Sequence, residues 1–314
     1  MLHHPNNQPL TMTATDVDEW AEIHAPHWDL YYEQLSSGQF EARKEMRHDG
    51  QGVIYRESVN QEVRIAGELR EDSIAFGIFN EAGMSGSFWG NTLPSNGLAY
   101  LTDLGDVDVT YKSGTFGILA IVPRSAFLQF FTATDGLNVR PLETPNCVVE
   151  VSETSHKRLA QILNSLLDEP RNGASHRHFT SVIITEVCEA LRSPEHRFIE
   201  PSSRRSLFQR AVDLADVGDH PLSIPEICLK LTVSPRTLEN AFQSQVGISP
   251  RRYLNLRRMN KAYVLLKRGN PEHNSVTQIA TSCGFTELGR FAVNFRKHFG
   301  ISPSERLRNR GNSH

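Results

Sequence analysis

Four polar residues in the C-terminal third of the chain have the spacing of one helix face and side chains suited to reading DNA bases. Arg236, Glu239, Asn240 and Gln243 stand at positions i, i+3, i+4 and i+7. In the major groove, arginine pairs with guanine, asparagine or glutamine with adenine, and a carboxylate accepts from cytosine. We expect Arg236 to read a base, with a phosphate contact as the alternative. For Glu239 and Asn240, a role limited to stabilising the helix surface stays open.

The helix signals around these residues occur twice along the chain. Ser223-Ile-Pro-Glu226 and Ser275-Val-Thr-Gln278 are both capping boxes, 52 residues apart. Gly247-Ile-Ser-Pro250 and Gly300-Ile-Ser-Pro303, 53 residues apart, would each end one helix at glycine and start the next with a serine cap and proline. Each copy therefore predicts a short helix, a tight turn and a second helix, which is a helix-turn-helix unit.

The second copy offers fewer hydrogen-bonding side chains than the first. Its predicted outward positions are Gly289, Arg290, Val293 and Arg296. Val293 could touch a thymine methyl group, and Arg290 is a candidate for a base or a phosphate. We expect the first copy to supply most of the sequence specificity and the second to add affinity and register.

The segment between the copies, Pro250–Arg268, is predicted to form one basic helix of roughly 27 Å. Such a helix could hold two recognition helices near the ~34 Å separation of successive major-groove faces. We expect contacts to the DNA backbone from ten side chains: Ser234, Thr237, Arg251, Arg252, Arg257, Arg258, Lys261, Thr286, Arg296 and Lys297.

The region from Arg204 to Arg310 resembles the AraC/XylS family of bacterial transcription regulators. The resemblance rests on Val233-Ser-Pro-Arg-Thr-Leu238 with Phe242, on Ile279-Ala280 and Gly284-Phe285, and on the second Gly-Ile-Ser-Pro element. It implies two recognition helices in adjacent major grooves of an operator, RNA polymerase as a partner, and a homodimer. An all-helical domain without a nucleic-acid function is the alternative.

Charge divides the chain into two unlike parts. Residues 204–314 hold 18 basic and 8 acidic side chains, a net charge of +10, whereas the rest holds 15 basic and 28 acidic ones, a net charge of −13. This division indicates a polyanion as the partner of the C-terminal part and a different partner for the front.

The front part is predicted to be rich in β-strands. Short apolar runs separated by turn signals indicate a small barrel or sandwich, with strands at Leu30–Leu35, Phe40–Arg47, Val53–Ser58, Val63–Glu68, Ser73–Phe79, Gly86–Trp89, Leu98–Leu101, Val107–Tyr111 and Gly117–Pro123. Two amphipathic helices, Ser155–Leu167 and Phe179–Leu191, follow. Their apolar stripes could form the dimer contact that the family implies, or pack on the same domain.

The predicted fold class is α+β: a cupin-like β-barrel sensor with a helical pair, followed by an all-α domain with two helix-turn-helix motifs. We assign residues 1–193 to an effector-sensing and dimerisation domain, 194–203 to a linker and 204–314 to the DNA-binding domain. The front also resembles, more loosely, the sensor of ethanolamine-operon-type regulators. Aromatic candidates for an effector pocket are Phe76, Phe79, Trp89, Tyr100 and Phe116, although aromatic residues in a barrel more often belong to the plain core.

The remaining chemistry of the chain argues against catalysis. His48 stands alone and His176-Arg-His178 falls in a loop, so we expect neither a metal nor a cofactor. No nucleophile elbow or phosphate loop occurs, which predicts a protein that is not an enzyme. The scattered cysteines, the polar N-terminus and the lack of a long apolar run predict a cytoplasmic protein with no membrane contact.

These observations together predict a sequence-specific transcription regulator, an activator, controlled by a small molecule bound in the front domain. Two alternatives stay open: a front domain that answers to a partner protein, and a metal-dependent barrel enzyme fused to a DNA anchor.

Overall fold

The structure, a computed structural model, describes residues 9–133, 146–168, 179–192, 196–216 and 222–309. The strands in these ranges are β1 (Leu10–Ala14), β2 (Trp28–Gln34), β3 (Ala42–His48), β4 (Val53–Val59), β5 (Val63–Leu69), β6 (Ser73–Phe79), β7 (Ser87–Phe88), β8 (Gly97–Thr102), β9 (Asp106–Tyr111), β10 (Thr115–Pro123), β11 (Cys147–Glu150) and β12 (Arg197–Ile199). The helices are α1 (Val17–His24), α2 (Glu81–Met84), α3 (Arg124–Ala133), α4 (Glu153–Asp168), α5 (Phe179–Arg192), α6 (Ser203–Asp216), α7 (Ile224–Leu231), α8 (Pro235–Val246), α9 (Pro250–Arg268), α10 (Val276–Ser282), α11 (Leu288–Phe299) and α12 (Pro303–Arg308).

The strands form two antiparallel sheets that face each other as a sandwich. The larger has eight strands in the order β1-β3-β4-β10-β6-β8-β11-β12, and the smaller has four in the order β2-β5-β9-β7. The prediction of a closed barrel is therefore wrong. A barrel closes only if its edge strands are hydrogen-bonded to each other. The edge strands β7 and β12 have only two and three residues, and neither pairs with a strand of the other sheet.

Apolar residues fill the space between the sheets and the space behind the larger one. The strand period of two sends Ala75 and Phe79 of β6 into the sandwich interior, whereas Phe76 points to the opposite face. That opposite face packs against α3, α4 and α5. The apolar stripes of the predicted helix pair, with Leu163 and Ile183 at their centres, are thus buried in their own domain.

The C-terminal helices enclose two small cores that are joined by α9. Phe242 and Tyr253 belong to the core of the first helix-turn-helix unit, and Phe295 and Tyr263 to that of the second. Since α9 supplies buried residues to both, it fixes the distance between the two units. The segment predicted as a linker contains β12, which pairs with β11 of the larger sheet.

The outer face of the smaller sheet carries the C-terminal helices. Glu33, Arg64 and Asp108 alternate with interior residues on β2, β5 and β9, and all three are buried. The order of layers is helices α3–α5, the larger sheet, the smaller sheet and the C-terminal helices. The smaller sheet is therefore covered on both faces.

Candidate nucleic-acid interface

Caps at both ends fix the first helix-turn-helix unit, formed by α7 and α8. Ser223 and Glu226 make the predicted capping box at the start of α7. The hydroxyl of Ser234 accepts the Thr237 N–H at 3.1 Å and so caps α8. Gly247 ends α8 with a φ of 68°, a left-handed conformation that favours glycine. The predicted end of α8 at Gly247 is confirmed.

The predicted recognition face of α8 points to solvent. Leu238, Ala241 and Phe242 are buried, whereas three of the four polar candidates are exposed and Glu239 is half-buried. Gln243 Nε2 donates to Glu239 Oε1 at 3.1 Å, and this hydrogen bond holds the two side chains together on the exposed face of α8. Arg236 lies in the first turn of α8, at the end that enters the groove in helix-turn-helix proteins.

The second unit, α10 and α11, repeats this geometry with different side chains. Ser275 and Gln278 form the second capping box, and Gly300 ends α11 with a φ of 74°. Val293 is 68% exposed, which is unusual for a valine. Arg290 lies 3.7 Å from the Glu287 carboxylate. Also exposed are Thr286, Gly289, Arg296 and Lys297.

Asn294 is an exposed residue of α11 that the sequence analysis did not single out. It lies four residues after Arg290 and therefore shares the outward face with that side chain. Helical spacing from Arg290 was the signal that could have found it. An asparagine amide can recognise adenine, so the second unit has one more hydrogen-bonding group than the sequence analysis counted.

The predicted backbone contacts on α9 differ in how far they are exposed to solvent. Arg251, Arg252 and Lys261 are exposed, as phosphate contacts require. Arg258 is half-buried, with its guanidinium 5.5 Å from the centre of the Phe285 ring. Arg257 is also half-buried and forms an ion pair with Glu33 of β2. The structure thus places Arg257 in an interdomain contact.

Both recognition helices touch the front domain at their C-terminal ends. Gln245 of α8 and His298 of α11 are equivalent positions of the repeat, and both are buried. The Gln245 carbonyl accepts from Thr110 Oγ1 at 3.0 Å. His298 Nε2 bonds the Gln34 carbonyl at 3.1 Å, and the His298 carbonyl accepts the Gly38 N–H at 2.9 Å. The outward faces of the two helices stay exposed.

A buried polar network joins the domains between these two points. Arg64 is fully buried, and its Nε donates to Asp108 Oδ1 at 2.9 Å. Its Nη1 donates to the Tyr253 hydroxyl at 2.9 Å and to Glu33 at 3.3 Å. Tyr253 and Arg257 of α9 both donate to the Glu33 carboxylate. Arg205 of α6 lies 3.5 Å from Asp108 and 3.7 Å from Asp106, so three carboxylates face three guanidinium groups in this interface.

The acidic start of α1 forms a second ionic contact with the helical domain. Asp16 Oδ1 accepts from Lys267 Nζ at 2.9 Å, and Asp16 Oδ2 accepts from Arg306 at 2.7 Å. Arg268 bonds Asp18 at 2.7 Å. Burial raises the pKa of Asp16, but hydrogen bonds from the Glu19 N–H and Lys267 and the charge of Arg306 bring it below its ordinary value. Some of the acidic groups of the front domain and some of the basic groups of the helical domain therefore form ion pairs with each other.

Known proteins share the sequence of the helical part. A helix-turn-helix domain family model matches residues 227–309. A crystal structure of an AraC-type DNA-binding-domain regulator from Chromobacterium violaceum shares 33% identity, covers 35% of this chain and 96% of that chain, and has a TM-score of 0.32. The XylDLEGF operon transcriptional activator 2 of Pseudomonas putida is 30% identical over 133 residues, or 41% of this chain and 83% of that protein. This chain belongs to the AraC/XylS family.

AraC/XylS relatives of greater length match this chain only in part. The probable thc operon regulatory protein of Rhodococcus erythropolis is 35% identical over 161 residues, which is 48% of this chain and 47% of that protein. The chain thus aligns with about half of the length of the first curated relatives. The family assignment rests on the helical domain, and the front domain is described from its own structure.

In this AraC/XylS protein, a small cavity of about 30 Å³ lies between the two sheets. Two of the five aromatic candidates, Phe79 and Trp89, line it. Phe76 and Tyr100 are buried on the other face of the larger sheet, and Phe116 is 40% exposed. The five aromatic candidates therefore do not share one cavity. We refer to this cavity as the slit.

The slit has a polar end that the sequence analysis missed. His24 Nε2 and Glu57 Oε2 lie 2.9 Å apart, and both residues line the slit with Tyr55 and Tyr32. Burial raises the pKa of both tyrosines well above the ordinary value. Period-two alternation along β4 could have placed Tyr55 and Glu57 on one face, but the partner from α1 could not be inferred locally.

Neither metal ligands nor a membrane helix is found in the described part of the AraC/XylS chain. No cluster of three or more histidine, cysteine, aspartate or glutamate side chains there could hold a metal ion, and no helix there is long and apolar enough to span a bilayer. His48 is exposed, and His176-Arg-His178 lies outside the described residues. All four cysteines are buried and unpaired, as expected.

Proposed function

We propose that this AraC/XylS-family protein is a sequence-specific DNA-binding regulator that activates transcription. The observation that carries the proposal is the pair of repeat-related helices, α8 and α11, whose outward faces are exposed while their C-terminal ends rest on the front domain. Arg236 and Asn240 would read bases from α8, and Val293 and Asn294 would meet the second half-site. Arg251, Arg252 and Lys261 would bind phosphates. Curated relatives are named as operon activators, which supports activation and RNA polymerase as a further partner.

A small effector in the front domain would control this activity through the smaller sheet. Along β2, Tyr32 lines the slit, whereas its neighbour Glu33 binds α9. Along β9, Val109 lines the slit, whereas Asp108 bonds Arg64 in the interface. A molecule that filled the slit would therefore move strands whose other face holds the DNA-binding helices. The relatives are named as regulators, and we propose no catalytic role.

The homodimer stays a prediction. The apolar stripes of α4 and α5 are buried against their own sheet, so the contact that the resemblance implied has an intramolecular partner. The slit, about 30 Å³ against the roughly 300–1,000 Å³ of ordinary ligand pockets, would have to widen for an effector.

Site selection from random double-stranded DNA with the full chain tests the proposed function. We expect enrichment of a bipartite sequence whose halves lie roughly one helical turn apart. Arg236→Ala should relax the preference at one base position, and the conserved half should be the one bound by α8. Recovery of unenriched DNA by a folded protein would contradict the proposal.

A further inference from the structure

Gly289 in the first turn of α11 is an exposed glycine that the fold itself does not require. Its backbone is not left-handed. A Cβ built on Gly289 would meet none of the described residues within 4 Å, apart from its chain neighbours and the backbone of its own helix. A helical glycine also stabilises a protein less than alanine does. The structural reason for a glycine at this position therefore lies outside the chain.

The internal repeat indicates which partner lies there. The offset of 53 residues that relates Gly247 to Gly300 also relates Arg236 to Gly289. Both Arg236 and Gly289 are exposed, and each lies in the first turn of its recognition helix. The second unit thus has no side chain at the position where the first unit has its longest candidate reader. In a helix-turn-helix protein, this end of the recognition helix faces the base pairs.

The face of α11 that begins at Gly289 continues with an apolar residue. Val293 follows four residues later on the same side of the helix and is 68% exposed. The absence of a Cβ at Gly289 allows the backbone of the first turn to lie directly against a base pair, and Val293 extends the same apolar surface. Among the groups that base pairs present in the major groove, the C5-methyl group of thymine is the apolar one.

We propose that Gly289 is a specificity-determining residue, which allows the first turn of α11 to pack against a thymine methyl group in the second half-site. Val293 contacts the same thymine or its neighbour. The two recognition helices therefore read their half-sites by different chemistry, α8 by hydrogen bonds and α11 by close apolar contact. The inference rests on the proposed function, and it names what the second helix recognises.

Gly289→Ala in the full chain separates a contact with DNA from a role in the fold. The variant should have a higher melting temperature, because alanine favours a helix. It should bind the selected site at least tenfold more weakly, because the added methyl group takes the space of the thymine. A lower melting temperature would show that the fold requires the glycine, and binding as tight as that of the wild type would show that DNA does not; either result would overturn the proposal.

Two further variants control this experiment. Ser165→Ala changes an exposed position of α4, a helix that packs behind the larger sheet, and likewise improves helix propensity. It should raise the melting temperature and leave DNA binding unchanged. Gly289→Arg copies the first unit and should also weaken binding. A gain in affinity with Gly289→Arg would show that this position only lacks a reader, and would overturn the proposal.

Uracil in place of thymine removes only the methyl group from the DNA. Each thymine is replaced in turn in the half-site whose base preference is unchanged in Arg236→Ala, which is the half bound by α11. At one or two positions the affinity of the wild type should fall about fourfold, the value of one buried carbon group, whereas Gly289→Ala should show no such loss.

The outcomes separate this inference from the proposed function. A wild-type protein that enriches no DNA sequence refutes the proposed function and this inference with it. A protein that binds its selected site but responds neither to Gly289→Ala nor to uracil at any thymine of the second half refutes this inference alone.

Discussion

Removing the charge of Glu33 should release the helical domain from the smaller sheet. Glu33 is buried, and its carboxylate accepts from Arg64, Tyr253 and Arg257. In Glu33→Gln, the amide can still accept from Tyr253, but Arg64 and Arg257 lose the carboxylate that they share. Arg64 then keeps Asp108, which also faces Arg205. Arg257 can turn to solvent, whereas Arg64 is fully buried and cannot.

The size of the effect follows from this arrangement. Breaking a buried ion pair by removing one partner costs about 3–5 kcal/mol. Because Asp108 still pairs with Arg64, we take the lower end, about 3 kcal/mol, or roughly a 100-fold change in the docking equilibrium. Hydrogen exchange of the full chain measures it residue by residue. Protection should fall in β2 and α9 and persist in β10, at the centre of the larger sheet.

Glu68→Gln is the matched control for this experiment. Glu68 lies on β5 of the same sheet, is exposed, and loses the same charge on substitution. Exposed substitutions of this kind change stability by about 0.5 kcal/mol or less. If Glu33→Gln and Glu68→Gln gave the same exchange pattern, the buried network would not hold the domains together.

Three further predictions concern the helical domain. Arg236→Ala should cost about 1–3 kcal/mol of binding free energy at the selected site and relax the preference at one base position. Arg252→Ala should weaken binding to all DNA sequences alike and reduce by about one the slope of log affinity against log salt concentration. Identical effects of the two variants on specific and random DNA would contradict these roles. Burial lowers the pKa of His298 below 6.5, so the free energy of unfolding should be highest above pH 6.5 and fall on acidification. His298→Gln, which introduces the residue found at the equivalent Gln245, should flatten this pH dependence in denaturant titrations. An unchanged dependence of the free energy of unfolding on pH would contradict the assignment. Ser275→Ala should lower stability by about 1 kcal/mol in the same titrations through loss of the capping box, and no loss would show that the box is dispensable.

Local rules were enough to predict the helical domain. Serine caps, prolines at the first helical position and glycines at the ends act within a few residues, and the capping boxes and the left-handed glycines appear where the sequence placed them. All nine predicted strands and both helices of the pair are present, with ends shifted by a few residues. Strands β1, β11 and β12 were missed, since each is short and depends on pairing with a distant strand.

Long-range contacts could not be predicted in the same way. Arg257 was expected to bind DNA because it is basic, but its partner Glu33 lies 224 residues earlier in the chain. Tyr253 lies four residues before Arg257, so helical spacing put both on one face without showing what covers that face. The pocket candidates are separated by a local rule. Phe76 and Phe79 are three apart on one strand, and period-two alternation sends them to opposite sides of the sheet.

Equilibrium binding of the full chain to its selected DNA site and to a scrambled site of equal composition tests the central claim most directly. The account predicts that the selected site is bound at least about 1,000-fold more tightly at physiological salt. It also predicts that the Arg236→Ala, Asn240→Ala double variant loses most of this preference while keeping its affinity for scrambled DNA. Equal affinity of the wild-type protein for both DNAs would contradict the claim that α8 and α11 read sequence.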